Sequence, residues 1–176
     1  LIILILIIVI LLISDEVFTR FIIAVKNQIF INGNIVIFSE RHQAHYISSI
    51  KMFLDQPFLG IGPKMFRFYC DDIRYYVENA CSTHPHNNYI QLLAETGIFS
   101  FLIVFGVFIY FLNILKKQFL LIYIKKQIGF SAHYILIISA IIISLWPLSP
   151  TGNFFNNWIN VIYYLPVGIF LFFHEK

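Results

Sequence analysis

The sequence predicts an all-α, polytopic membrane protein, with several spanning helices and one large external (periplasmic) loop that carries an amphipathic helix. Three observations lead there. Apolar residues make up 59% of the 176-residue chain and charged residues only 12%, about half the charge of an ordinary soluble domain. Apolar stretches of spanning length recur at 97–115, 128–148 and 154–173. Four lysines and no acid fill the connection between the first two of these stretches, as expected of a loop that stays in the cytoplasm.

Each element follows in order. Leu1–Ile13 is an apolar run of 13 residues, short of the roughly 20 that a spanning helix needs. It has no basic lead and no small-residue cleavage site. It therefore reads as the end of a truncated transmembrane helix, and the chain as a C-terminal fragment. Residues 14–87 hold seven basic and seven acidic side chains, a balance that suits an exported loop. A transmembrane helix is expected over 88–115, with its uncharged portion from Gly97 to Leu115. A cytoplasmic basic loop with Lys116, Lys117, Lys125 and Lys126 follows at 116–127. A second span is expected at 128–148, interrupted only by His133. An uncharged periplasmic loop at 149–157 and a last span at 158–173 complete the order. Backbone amides in lipid must be satisfied within the segment, so all these spans are helices. The net charge of +3 is small and its lysines and arginines form no phosphate-tracking stripe, so nucleic acid is not an expected partner. The lipid bilayer is.

Inside the large loop, Arg41 to Leu54 has helical spacing, with Tyr46, Ile50, Phe53 and Leu54 on one apolar stripe. Such a helix lies on the membrane surface or on the bundle of spans. Pro57 ends it, and Gly60-Ile61-Gly62-Pro63 makes a tight turn. Cys70 and Cys81 fall in the same loop. In an oxidising compartment they can form a disulfide; two unpaired thiols are the other reading.

The chemistry-bearing run is Ser82-Thr83-His84-Pro85-His86-Asn87-Asn88-Tyr89. Pro85 suits a first helical turn, with Thr83 or Ser82 as cap. His86 then sits at a helix start facing outward, where the dipole disfavours a protonated imidazole. A neutral histidine beside an anion-attracting helix end can act as a general base. Asn88, Gln91 and Glu95 share one face of that helix, and a polar stripe entering a span turns toward protein or a wet cavity. The plainer readings are loop and capping chemistry for His-Pro-His, a hydrogen bond across helices for Glu95, and a two-histidine metal site at His84 and His86. No neighbouring cysteine or carboxylate pair completes a tetrahedral metal set, so no metal and no other cofactor is expected.

Taken in order, Arg41, the amphipathic helix, Pro57-Phe58-Leu59-Gly60-Ile61-Gly62, Phe66, His84-Pro85-His86-Asn87 and Glu95-Thr96-Gly97 resemble the large periplasmic loop of the bacterial O-antigen ligase and polymerase family. That family carries an arginine ahead of a P-x-x-G-x-G turn and a His-Asn pair opening a helix that reaches E-x-G. The likeness runs from Arg41 to about Phe101, and Thr151-Gly152-Asn153-Phe154-Phe155-Asn156-Asn157-Trp158 resembles an external loop of some members. Ser100 departs from the glycine series that many ligases continue. The resemblance implies an inner-membrane, metal-independent, inverting glycosyltransferase with its active site facing the periplasm. Its donor would be an undecaprenyl-diphosphate-linked glycan and its acceptor the lipid A core or another lipid-linked glycan. It also implies that Arg41 neutralises the diphosphate and His86 takes the proton of the attacking hydroxyl. Lys64, Arg67, Arg74, Asn87, Glu95, Gly60 and Gly62 would serve substrate binding, the glycines through backbone geometry. Two rival classes stand beside this one. A transporter or flippase of lipid-linked sugars would use Glu95 and His86 as ion-coupling groups at a midplane site, and a non-catalytic membrane subunit would leave the Arg41, His86 and Glu95 cluster unexplained.

Overall fold

The structure is a computed structural model and describes residues 14–31, 34–35, 38–127, 129 and 131–174. The span end expected at Leu1–Ile13 lies outside the described residues. The chain divides into two compact units, Leu1–Gln43 and Ala44–Lys176.

In the first unit the Ser14 hydroxyl accepts the Val17 amide at 3.4 Å, and Asp15 and Glu16 occupy the first turn of the helix it caps. Both arrangements suit unpaired helix-start amides. Helix α1 (Asp15–Phe18), a π-helical turn (Thr19–Ile23) and α2 (Ala24–Ile29) follow without a break. Then comes a two-residue antiparallel ladder of β1 (Phe30–Ile31) and β2 (Asn34–Ile35), with Phe30 opposite Ile35. Apart from this ladder, all the regular structure among the described residues is helical.

Helix α3 (Glu40–Asp55) matches the expected 41–54 element, with Ser39 accepting the His42 amide at its start. Its orientation goes against one of the two expected arrangements, the apolar stripe packed on the bundle of spans. The face buried against protein is Ala44, His45, Ser48, Ser49 and Met52. At 3.6 residues per turn that face lies nearly opposite Tyr46, Ile50, Phe53 and Leu54. Small side chains let the backbone approach its neighbours, and Met52 supplies the packing with Phe66, Cys70, Tyr75 and Ala94. Of the apolar stripe, Leu54 is exposed, while Tyr46, Ile50 and Phe53 are part-buried and Tyr46 is bonded to Asn87.

After Pro57 the chain docks on the next long helix, α5 (Asn88–Phe119). Between them stands the short α4 (Phe66–Tyr69). The Ile61 amide donates to the Ala94 carbonyl and the Gly62 amide to the Glu95 carbonyl, both at 2.9 Å, while the Ile98 amide donates to the Pro57 carbonyl at 2.8 Å. Gly97 makes this possible by leaving the helical conformation, at φ 75° and ψ −170°. A side chain at Gly97 would meet the Phe58 backbone, and one at Gly60 the backbone of Glu95 and Thr96, each closer than 3.0 Å. The two backbones touch because both positions lack a Cβ.

Cys70 and Cys81 are joined, with Cα atoms 5.2 Å apart; a cross-link over such a short loop restricts the unfolded chain by about 2–3 kcal/mol. Next to it Arg74 pairs with Asp72 at 2.9 Å and Asp55 at 3.5 Å. The Tyr75 hydroxyl donates to Asp55. These bonds pin the end of α3 to the loop. The Arg74 guanidinium holds the Asp72 carboxyl down at about 2.

Helix α5 continues through a π-helical turn (Leu120–Ile124), giving 37 residues from Asn88 to Ile124 that are long and apolar enough to cross a membrane. Only 11% of its most apolar stretch is buried within the fold, unlike the core helix of a soluble protein. Lys116 and Lys117 lie inside this helix, so the basic loop expected at 116–127 is helical as far as Ile124. Among the described residues of the span expected at 128–148, the helix is α6 (Ala132–Ser144), about 20 Å long against the ~30 Å of a hydrocarbon core. Pro147 disfavours helical backbone at the residue before it. Helix α7 (Asn157–His174) carries Pro166 in its interior. Phe108 and Phe111 of α5 pack with Ile138, Ile141 and Ile142 of α6 and Phe170 of α7.

Candidate active site

The site forms at the mouth of α5. The cap is Asn87, not Ser82 or Thr83. Its side-chain oxygen accepts the amides of Tyr89 and Ile90 at 3.0 and 3.1 Å, and its amide nitrogen donates to the Pro147 carbonyl at 2.6 Å. The hydroxyl of Ser82 instead donates to the His84 carbonyl, and Pro85 precedes the helix. An asparagine cap satisfies two helix-start amides at once, and the two residues before it are then free to turn.

His86 takes that turn with φ 61°, an uncommon conformation for a residue with a side chain, and one that structures hold only where surrounding contacts enforce it. Here the enforcing contact is the Thr151 amide, which donates to the His86 carbonyl at 2.9 Å. The half-buried His86 ring lies 4.1 Å from the His84 ring and 5.4 Å from the His45 ring, centre to centre.

His84 is fixed from both sides. Its Nε2 is 3.2 Å from the Thr151 carbonyl and its Nδ1 2.9 Å from the Thr83 hydroxyl. A carbonyl only accepts, so Nε2 carries the proton and Nδ1 accepts from Thr83. Burial lowers the His84 pKa, the Thr151 carbonyl opposes that, and the charges of Arg67 and His45 lower it further. The unfolded chain therefore binds a proton more readily than the folded one, and stability falls as pH drops below about 6.5. Thermal unfolding compared at pH 7.5 and 5 should show a smaller acid loss for His84→Gln than for the wild type. An equal loss would remove His84 as the acid-sensitive group.

The polar stripe of α5 is a spine. Asn88, Gln91 and Glu95 are all buried, Glu95 at 0% exposure. The Glu95 carboxylate accepts the amides of Lys64 at 3.0 Å and Phe66 at 2.9 Å, and the Gln91 side chain at 2.8 Å. The same Gln91 nitrogen reaches Asn153 at 3.0 Å, and its oxygen accepts the Phe154 amide at 2.9 Å. Thr151 donates to Asn88 at 2.9 Å. One helix face thus ties down the 57–66 turn on one side and the 147–156 loop on the other.

The sequence-derived candidates separate accordingly. His84, His86 and Asn87 come together, and the charge of exposed Arg67 is felt at His84. Glu95, Gly60, Gly62 and the Lys64 amide belong to the turn docked on α5. Arg74 is engaged with Asp72 and Asp55 and sits over the Tyr75 ring. Arg41 occupies the first turn of α3, within the first unit. Cys70 and Cys81 with Asp71 are the metal-type donor group whose ligand atoms converge among the described residues, and the S–S bond uses both sulfurs. Sequence reasoning missed His45, and it named Thr151 and Asn153 only within a segment resembling an external loop, without a role at the site. For His45 a signal existed: it stands four residues after Arg41, the spacing that puts two side chains on one helix face.

Between α5, α6 and α7 lies an apolar cleft of about 160 Å³, lined by Val104, Val107, Ile141, Leu145 and Val167, and by Asn88 two residues from His86.

Compared with known proteins, residues 1–105 match a family model described as O-Antigen ligase. Neither a curated protein nor a solved structure matches the chain.

Proposed function

Since the chain belongs to the O-antigen ligase family, whose work is in polysaccharide biosynthesis, we propose that it is an inverting membrane glycosyltransferase with its active site at the outer face of the inner membrane. The donor is a glycan on undecaprenyl diphosphate. His86 accepts the proton of an acceptor sugar hydroxyl as that oxygen attacks the anomeric carbon. The bond from that carbon to the phosphate oxygen breaks, and the diphosphate leaves with the electron pair. Attack from the face opposite the leaving group inverts the centre. Arg41 and Arg67 balance the charge of the leaving diphosphate, for which a planar guanidinium fork is suited. The acceptor is the lipid A core for a ligase, or a second lipid-linked glycan for a polymerase.

The observation that carries this reading is the placement of His86. It is half-buried at the start of a long apolar helix, flanked by two imidazoles, with Arg67 close enough to act on His84. The helix start lies one apolar stretch away from Lys116 and Lys117, which supports an external position for the histidines if the lysines face the cytoplasm. The apolar cleft beside Asn88 supports a lipid-borne donor, because an isoprenoid chain needs an apolar seat next to its diphosphate.

The test is reconstitution of the protein in liposomes with a lipid-linked oligosaccharide, comparing wild type, His86→Ala and Arg41→Ala. Loss of glycosidic bond formation in both variants, at normal expression, is the expected result. Undiminished transfer by both would defeat the assignment, and lipid translocation without any new glycosidic bond would point to a flippase.

A further inference from the structure

We propose that His45 is a positioning residue for His86, holding the imidazole in the tautomer and orientation a base requires; this rests on the base role given to His86 above. His45 lies on the buried face of α3 and is only 5% exposed. Its Nδ1 is 2.6 Å from the Ala80 carbonyl oxygen. That oxygen can only accept, so Nδ1 holds a proton, and in its neutral form the ring presents Nε2 as an acceptor.

The His45 and His86 rings are 5.4 Å apart between centres, with planes at 39°. Two imidazoles joined nitrogen to nitrogen by an ordinary hydrogen bond have centres about 5 Å apart, so the spacing fits an N–H of His86 directed at Nε2 of His45. A base that takes a proton on one ring nitrogen needs its other N–H oriented by a third group. His45 supplies that group, and no proton need move onto it during the reaction.

The anchor is itself built in. Ala80 is buried and its amide donates to the Val77 carbonyl at 3.1 Å. Its carbonyl is attached to Cys81, which the disulfide ties to Cys70. Cys70 in turn packs with Met52 of α3. The edge of Phe66 stands 6.3 Å from the His45 ring, and Ser49 donates to the His45 carbonyl at 2.8 Å. Cross-link, carbonyl, His45 and His86 form a line that ends at the helix mouth. Of the other ionisable groups, His84 lies against His86 with ring centres 4.1 Å apart and planes tilted by 46°, and the charge of Arg67 acts on His84.

Two substitutions in the reconstituted protein test this. His45→Phe keeps a ring for Phe66 to pack on and removes both nitrogens. His45→Gln restores a side-chain acceptor. The Phe variant should lose on the order of tenfold or more in kcat, less than the ~10²–10⁴ carried by the base, with KM held within about twofold. The Gln variant should recover part of that kcat. Wild-type kcat in His45→Phe, with His86→Ala inactive, would overturn the positioning role and leave the base role standing. An active His86→Ala would instead remove the base role. Equal losses in both His45 variants, with Cys70 and Cys81 open to thiol reagents, would mark His45 as purely structural and overturn the inference.

Discussion

Alanine at position 86 is expected to lower sugar transfer by about 10²–10⁴-fold, the contribution of a well-placed general base. The loss should appear in kcat, because removing a proton acceptor affects the transition state more than the bound substrates. Asn87 caps α5 through its own side chain, and the Thr151 amide bonds to the His86 backbone carbonyl rather than to its ring. The substitution therefore leaves the helix start and the 147–156 loop in place. Alanine adopts the φ of 61° at somewhat greater cost than histidine, so a folded, slightly less stable and inactive protein is the predicted outcome. Intact thermal stability with transfer near the wild-type rate would refute the assignment.

The second large effect lies in the backbone. Gly97→Ala should detach the Pro57–Pro63 turn from α5. Its φ of 75° with ψ of −170° belongs to a region that residues with a Cβ occupy at a cost of about 1–3 kcal/mol. The added methyl would also collide with the Phe58 carbonyl, a backbone atom that cannot rotate aside, and overpacking of that kind costs a further ~1–3 kcal/mol. The same substitution at Gly106, where a Cβ meets nothing within 4 Å, is the matched control and should leave stability unchanged or slightly raised. A lowered unfolding midpoint and lost transfer for Gly97→Ala, with neither for Gly106→Ala, are expected. Similar behaviour of the two would show that the docked turn contributes nothing.

This second result bears on how the loop and the chemistry are joined. The Glu95 carboxylate holds the amides of Lys64 and Phe66. Phe66 in turn packs with Met52 of the helix that carries His45. The turn that Gly60 and Gly97 allow to dock is thus part of the support for the histidine cluster, and its loss should disturb the site without touching it.

What the amino-acid order determined by itself was the class of element and the residue types at the helix mouth. The uncharged run from Gly97 to Leu115 specifies a long apolar helix, because its backbone must satisfy itself when water is absent. Pro57 with the following glycines specifies a turn, since their allowed φ values leave little else. The ordered set from Arg41 to Gly97 was sufficient to indicate the family. Tertiary structure decided the rest. An apolar stripe at Tyr46, Ile50, Phe53 and Leu54 is visible in the spacing, but which face of α3 packs depended on how closely Ala44, Ser48 and Ser49 allow a neighbour to approach. Glu95 could be recognised as an unusual acid. Its partners could not, because two of them are backbone amides some thirty positions earlier in the chain. His45 and Thr151 reach His86 only through folding, from 41 residues before and 65 after. Local spacing reports which face of one helix a residue occupies, whereas a contact between distant segments is fixed only when both are packed against the same buried surface.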